Sequence, residues 1–173
     1  MKKYANIVIA VLDLIIVFAA LFLNIWSYAS GGYNNWYSWN WGSMSTIQLF
    51  DKGMYGDGIL IFALVLSFVG LVIAAILNFQ NKKEKLAKEF QIIASVIIMI
   101  MFILVHIGIF EFYSDYSICE LNNMGFAVIG LCVIDIILSI VLMKSKEEVN
   151  AVEKINATEN TEKTDFSENI NNN

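Results

Sequence analysis

The sequence predicts an all-α integral membrane protein: a bundle of four transmembrane helices with a short β-hairpin in its first outer loop. Three observations predict it. Of the 173 residues, 58% are hydrophobic, more than the roughly half usual in a soluble domain. The apolar residues gather into four long runs separated by polar stretches, and the lysines collect at alternate ends of those runs. The net charge of −5 comes mostly from one acidic tail, so it describes that tail and not the surface of a soluble domain.

The first run covers residues 4–26, after Lys2 and Lys3, and is interrupted by Asp13 and Asn24. At ~1.5 Å per residue, about twenty residues cross a ~30 Å hydrocarbon core. A signal peptide is the competing reading, since Ala29-Ser30-Gly31 follows. The run is longer than the roughly 7–15 residues of a signal core and carries an acid at its centre, so a retained span is expected. The other runs are residues 59–79, 90–112 and 124–143.

Lys2 and Lys3 precede the first run, Lys82, Lys83, Lys85 and Lys88 crowd the connector between the second and third, and Lys144 and Lys146 follow the fourth. The opposite side has only Lys52. Positive residues stay in the cytoplasm, which predicts a multi-pass protein of the plasma (cytoplasmic) membrane with both termini inside. The connector lysines read as topological anchors that also suit anionic lipid headgroups.

Residues 27–58 form the long outer loop. Tyr37, Trp39 and Trp41 alternate with Ser38 and Asn40, residues 45–50 read as a second extended segment, and Gly42-Ser43 offers the turn. Asp51, Asp57 and the glycines between them lack the ligand spacing of a calcium loop and read as a turn into the second span. Tyr33, Trp36, Tyr37, Trp39 and Trp41 form either an interfacial aromatic belt or a surface for a protein, peptide or lipid partner. Residues 1–143 make the membrane domain. Residues 144–173, rich in Asn, Glu, Thr and Lys, are expected to be a disordered acidic cytoplasmic tail.

Chemistry inside the runs is confined to Asp13, His106 and Asp135. Asp13 and Asp135 each lie about eight residues, ~12 Å, from the cytoplasmic end of their run, and so at one depth. Facing carboxylates in a low dielectric cannot both ionise cheaply, which describes a proton or cation site. The structural alternative is that each is a protonated acid bonded to a neighbouring helix, with Ser67, Ser95 and Ser139 as partners. His106 lies too far toward the outside to join them and reads as a neutral histidine bonded within the bundle. One histidine makes no zinc site, Cys119 and Cys132 differ in depth and form no disulfide, and no GxSxG, HExxH or Walker motif occurs. Neither an enzyme, a cofactor, a metal nor a nucleic-acid partner is expected.

With a tryptophan-bearing outer first loop and Trp39-Asn40-Trp41-Gly42-Ser43 within it, the chain resembles the claudin-like four-helix proteins in layout; adhesive or barrier function does not carry over. Gly56-Asp57-Gly58 and Asn123-Met124-Gly125-Phe126 make it similar to small uncharacterised four-span membrane proteins of AT-rich bacteria. The leading expectation is a non-enzymatic membrane protein whose outer aromatic loop binds a partner, of the immunity or complex-assembly type. The alternative is a small oligomeric proton- or cation-coupled transporter or channel using Asp13 and Asp135.

Overall fold

The computed structural model describes residues 2–31, 39–52, 58–81, 83–108 and 117–145. In chain order these form α1 (Lys2–Phe22), β1 (Trp26–Gly31), β2 (Trp39–Met44), α2 (Thr46–Lys52), α3 (Gly58–Phe79), α4 (Glu84–His106) and β3 (Ser117–Leu121). A final helix, α5 (Asn123–Ser145), follows. Four of them, α1, α3, α4 and α5, are long and apolar enough to cross a membrane, as a multi-pass membrane protein requires. Their outward faces carry exposed Phe18, Phe62, Leu66, Ile93 and Ile137, side chains that a soluble protein would bury and a lipid-facing helix presents. Met1–Ser139 form one compact unit, and Ile140–Asn173, of which only the end of α5 is described, form a second.

Within the first unit α3 packs against both α1 and α4. The tight connection between α3 and α4 is made by Asn81 and Lys83, both with left-handed backbone (φ 51° and 47°). This end of the unit is called the connector end. The third span therefore begins at Glu84 rather than at residue 90, and it ends at His106 rather than at 112. The apolar run continues past that point, but Gly108 takes φ 74°. The amides of Ile107 and Gly108 donate back to the carbonyls of Ile103 and Val105, the glycine-terminated helix end that satisfies the last carbonyls. The first span is likewise shorter than the apolar run: α1 stops at Phe22, and Trp26 opens a strand.

At the opposite end lies a three-stranded antiparallel sheet of order β2-β1-β3. Trp26 of β1 is in register with Met44 of β2 and with Leu121 of β3, so the loops after α1 and after α4 contribute to one sheet. A hairpin is present in the first loop, but not between the segments predicted, and Gly42-Ser43, read as its turn, lies inside β2. Trp39–Met44 pairs with Trp26–Gly31, while Thr46–Lys52, inside the stretch read as extended, is helical. The cause is a capping box: the Gln48 amide donates to the Ser45 hydroxyl (3.3 Å) and the Ser45 amide donates to the Gln48 side-chain carbonyl (2.9 Å), satisfying two otherwise free donors at a helix start.

The sheet is pinned to the bundle by Trp26, which is fully buried. Its indole N–H donates to Thr46 Oγ1 (3.1 Å), the Thr46 hydroxyl donates to the Ala20 carbonyl (2.5 Å), and its ring meets Phe102 edge-on at 5.1 Å. Asn122 closes the other side. Its amide donates to the Asn24 carbonyl (2.7 Å), and its Oδ1 accepts from the backbone amides of Met124 and Gly125 at the start of α5. Gly125 is required there, because a Cβ would stand 2.7 Å from the Ile25 carbonyl oxygen.

Candidate functional site

The core is divided along the helix axes. On the sheet side it is apolar: Ile16, Ala20, Ile25, Trp26, Leu64, Ile98, Phe102, Val128 and Cys132 are buried there. Ser67, the buried hydroxyl of α3, donates to the Ala63 carbonyl of its own helix (2.7 Å). Toward the connector end buried polar residues, Asn6, Asp13, Asn78, Lys88, Gln91, Ser95, Asp135 and Ser139, stand among small or apolar ones such as Ile9, Ala10, Ala74, Ala75 and Ala87.

The spacing of the α4 members explains their convergence. Lys88, Gln91 and Ser95 recur at three and four residues, and Ala87, Ala94 and Ile98 at seven and four, so one buried face of α4 carries the polar groups in its first half and is apolar from Ile98 onward. Asp135 receives hydrogen bonds from two of them: Gln91 Nε2 donates to Oδ1, and the Ser95 hydroxyl donates to Oδ2 at 2.8 Å. Lys88 Nζ donates to Asn78 Oδ1 across the α3–α4 pair (3.1 Å). Asn6 on α1 donates to Asn81 Oδ1 in the connector turn (3.1 Å).

Asp13 is brought to the same cluster by α1. Its carboxyl is fully buried, and its nearest polar neighbours are the Asp135 carboxyl, the Lys88 ammonium and the Asn78 amide. Neither Asp13 oxygen makes a hydrogen bond of normal geometry; Asn78 Nδ2, Gln91 Oε1 and the Ser139 hydroxyl are also without partners. The two aspartates predicted to share a depth therefore meet. Counted from the start of α1 at ~1.5 Å per residue, Asp13 lies ~16 Å along its helix.

This asymmetry is chemically informative. A buried polar atom without a partner costs about 1–3 kcal/mol, more when charged, and native cores hold few of them. Here five such atoms occur on Asp13, Asn78, Gln91 and Ser139. Asp135 is held as an acceptor by two donors, whereas Asp13 is buried beside it with both oxygens unspent. Such an arrangement can take up a proton or a small cation.

No protein-family model, curated protein or solved structure matches this chain. The site is thus argued on its own geometry.

His106 stands apart from the aspartates. Its Nδ1 accepts the Leu121 amide of β3 at 3.2 Å, and its ring meets Phe126 edge-on at 5.2 Å. Accepting at Nδ1 requires that nitrogen to be unprotonated, so His106 is a neutral tie between α4, β3 and α5. Of the aromatic candidates, Tyr33, Trp36 and Tyr37 lie outside the described residues, and Trp39 and Trp41 belong to β2 with backbones opposite Gly31 and Ala29. Cys119 and Cys132 are both free and buried, and burial, helped by the Glu120 carboxylate, pushes the Cys119 thiol up to about 12. Among the described residues no three His, Cys, Asp or Glu side chains gather as a metal site.

Asn6, Asn78, Lys88 and Gln91 are the members that sequence reasoning missed. Lys88 was assigned to the connector as a charge anchor, because the third span was begun at residue 90. The missed signal was periodicity: Lys88, Gln91 and Ser95 fall on one helical face together with Ala87 and Ala94.

Proposed function

We propose that the protein is a small proton- or cation-coupled membrane transporter or channel, non-enzymatic, that binds its ion at the paired carboxylates of Asp13 and Asp135. The carrying observation is that acids from the first and last spans meet in the buried interior while neither Asp13 oxygen accepts a hydrogen bond of normal geometry. Were the pair only a device for holding helices together, Asp13 would be expected to be bonded across the interface as Asp135 is. Ionisable groups kept inside a span at such cost mark ion paths and proton relays. The lysines at the connector argue for that end in the cytoplasm, with both termini inside the plasma membrane.

The test is reconstitution into liposomes with an internal pH indicator and an imposed proton gradient. Parent protein should dissipate the gradient, and Asp13→Asn and Asp135→Asn should fall to the level of protein-free vesicles. A parent no faster than empty vesicles, or Asn variants as fast as the parent, contradicts the proposal.

A second reading is favoured by one observation. β2, which carries Trp39 and Trp41, hydrogen-bonds on one side to β1 and is an edge of the sheet. Free edges accept added strands, which supports an outer protein or peptide partner, of the immunity or complex-assembly type, bound beside the aromatic loop.

A further inference from the structure

Resting on the ion-coupled function proposed above, we infer that the ion is a single proton, carried by Asp13 with Lys88 as its resident counter-charge, and that it comes and goes by the connector end alone. Three observations lead there.

The first is charge. The ionisable groups facing Asp13 are Asp135 from α5 and Lys88 from α4; α3 contributes the neutral Asn78, and Glu84 at the start of α4 acts on Lys88. With both aspartates ionised and Lys88 protonated the cluster carries one net negative charge in a dry interior, and one proton brings it to zero. A metal cation would have to bind beside the Lys88 ammonium, which is held next to the pair by Asn78.

The second is the division of labour between the carboxyls. Asp135 accepts two hydrogen bonds, from Gln91 and Ser95, which favour an anion, whereas Asp13 accepts none of normal geometry and has only the nearby Asn78 amide and Lys88 ammonium beside it. Asp13 is therefore the member that takes the proton: its carboxylate gains H+ to become the acid, and returns H+ to water.

The third is the polarity gradient. Between the pair and the connector stand Lys88, Asn78, Ser139 and the Asn6–Asn81 hydrogen bond, with Asn81 exposed. Between the pair and the sheet stand Ile16, Ile98, Phe102 and Trp26, all fully buried. The first route offers polar side chains to passing water, whereas the polar groups described on the second, Ser67 and Thr46, are spent on the Ala63 and Ala20 carbonyls.

The test counts protons taken up by the purified full chain in weakly buffered detergent as pH is lowered, with an indicator dye. The parent should bind one proton more than Asp13→Asn, and its midpoint should be unmoved by sodium, lithium or potassium. Lys88→Met, which removes the positive neighbour, should shift the midpoint toward alkaline pH by roughly 1–3 units, and Lys88→Arg should return it toward the parent. In vesicles sorted by protease access to the connector lysines, a pH step on the connector side should drive uptake, and a step on the other side should not. If Asp13→Asn binds as many protons as the parent, the ion-coupled function itself falls. If uptake depends on Asp13 but metal ions displace the proton, Lys88→Met leaves the midpoint in place, or either face serves equally, the ion-coupled function stands and this inference is overturned.

Discussion

Asn122 shows how much of the assembly one side chain can hold. Its oxygen caps α5 through the Met124 and Gly125 amides, its own backbone amide donates to Ile25, and its side-chain amide donates to Asn24. Replacing it with alanine removes a cap worth about 0.5–2 kcal/mol and the tie between the end of α1 and the start of α5. Asn122→Ala should therefore lower the thermal unfolding midpoint in detergent, and Asn122→Asp, which keeps the cap but not the amide donor, should fall between it and the parent. A midpoint unchanged in Asn122→Ala would mean that these bonds carry no stability. At the same scale, Asp13, Asp135 and His106 were legible as intramembrane polar residues, because each interrupts an apolar run. What was not legible was their company. Lys88 looks like one more lysine in a basic connector until the helix is known to start at Glu84; its long side chain then reaches back along the bundle to Asn78.

The elements divide in the same way. The four spans follow from length and hydropathy, but the bounds of the first and third do not. α1 and α4 both stop before their apolar runs do, because strand pairing at Trp26 and the left-handed Gly108 end them. The outer loop is the least legible part. Ser45-Thr46-Ile47-Gln48 contains a capping box, which precedes a helix, yet its alternating polarity suits a strand as well, and β3 comes from a separate loop that no local pattern connects to β1. β2, Trp39–Met44, is the element on which an outer partner would depend. If a partner binds there, deleting residues 33–41 should abolish the associated phenotype while membrane insertion, followed by surface labelling, is retained. Full activity after that deletion, with insertion intact, contradicts an outer docking role and leaves the interior site as the sole candidate.

At the scale of the whole molecule, the organising feature is a core that is apolar toward the sheet and polar toward the connector. Long-range pairing of this kind, between a first and a last span, is set by how four helices pack and not by any local sequence signal, although the similar depths of Asp13 and Asp135 allowed it. The energetic consequence is that this interior is stabilised by its apolar half and destabilised by unpaired polar atoms in the other. The central claim is that Asp13 is an exchangeable acid rather than a fixed hydrogen-bonding one. Infrared difference spectroscopy of the carboxylic acid carbonyl band tests it most directly, comparing parent and Asp13→Asn across a pH series in detergent. The account predicts a band from a buried protonated carboxyl in the parent that fades reversibly as pH rises and is missing from Asp13→Asn. A band that persists undiminished until the protein unfolds, or one that Asp13→Asn retains in full, would contradict it.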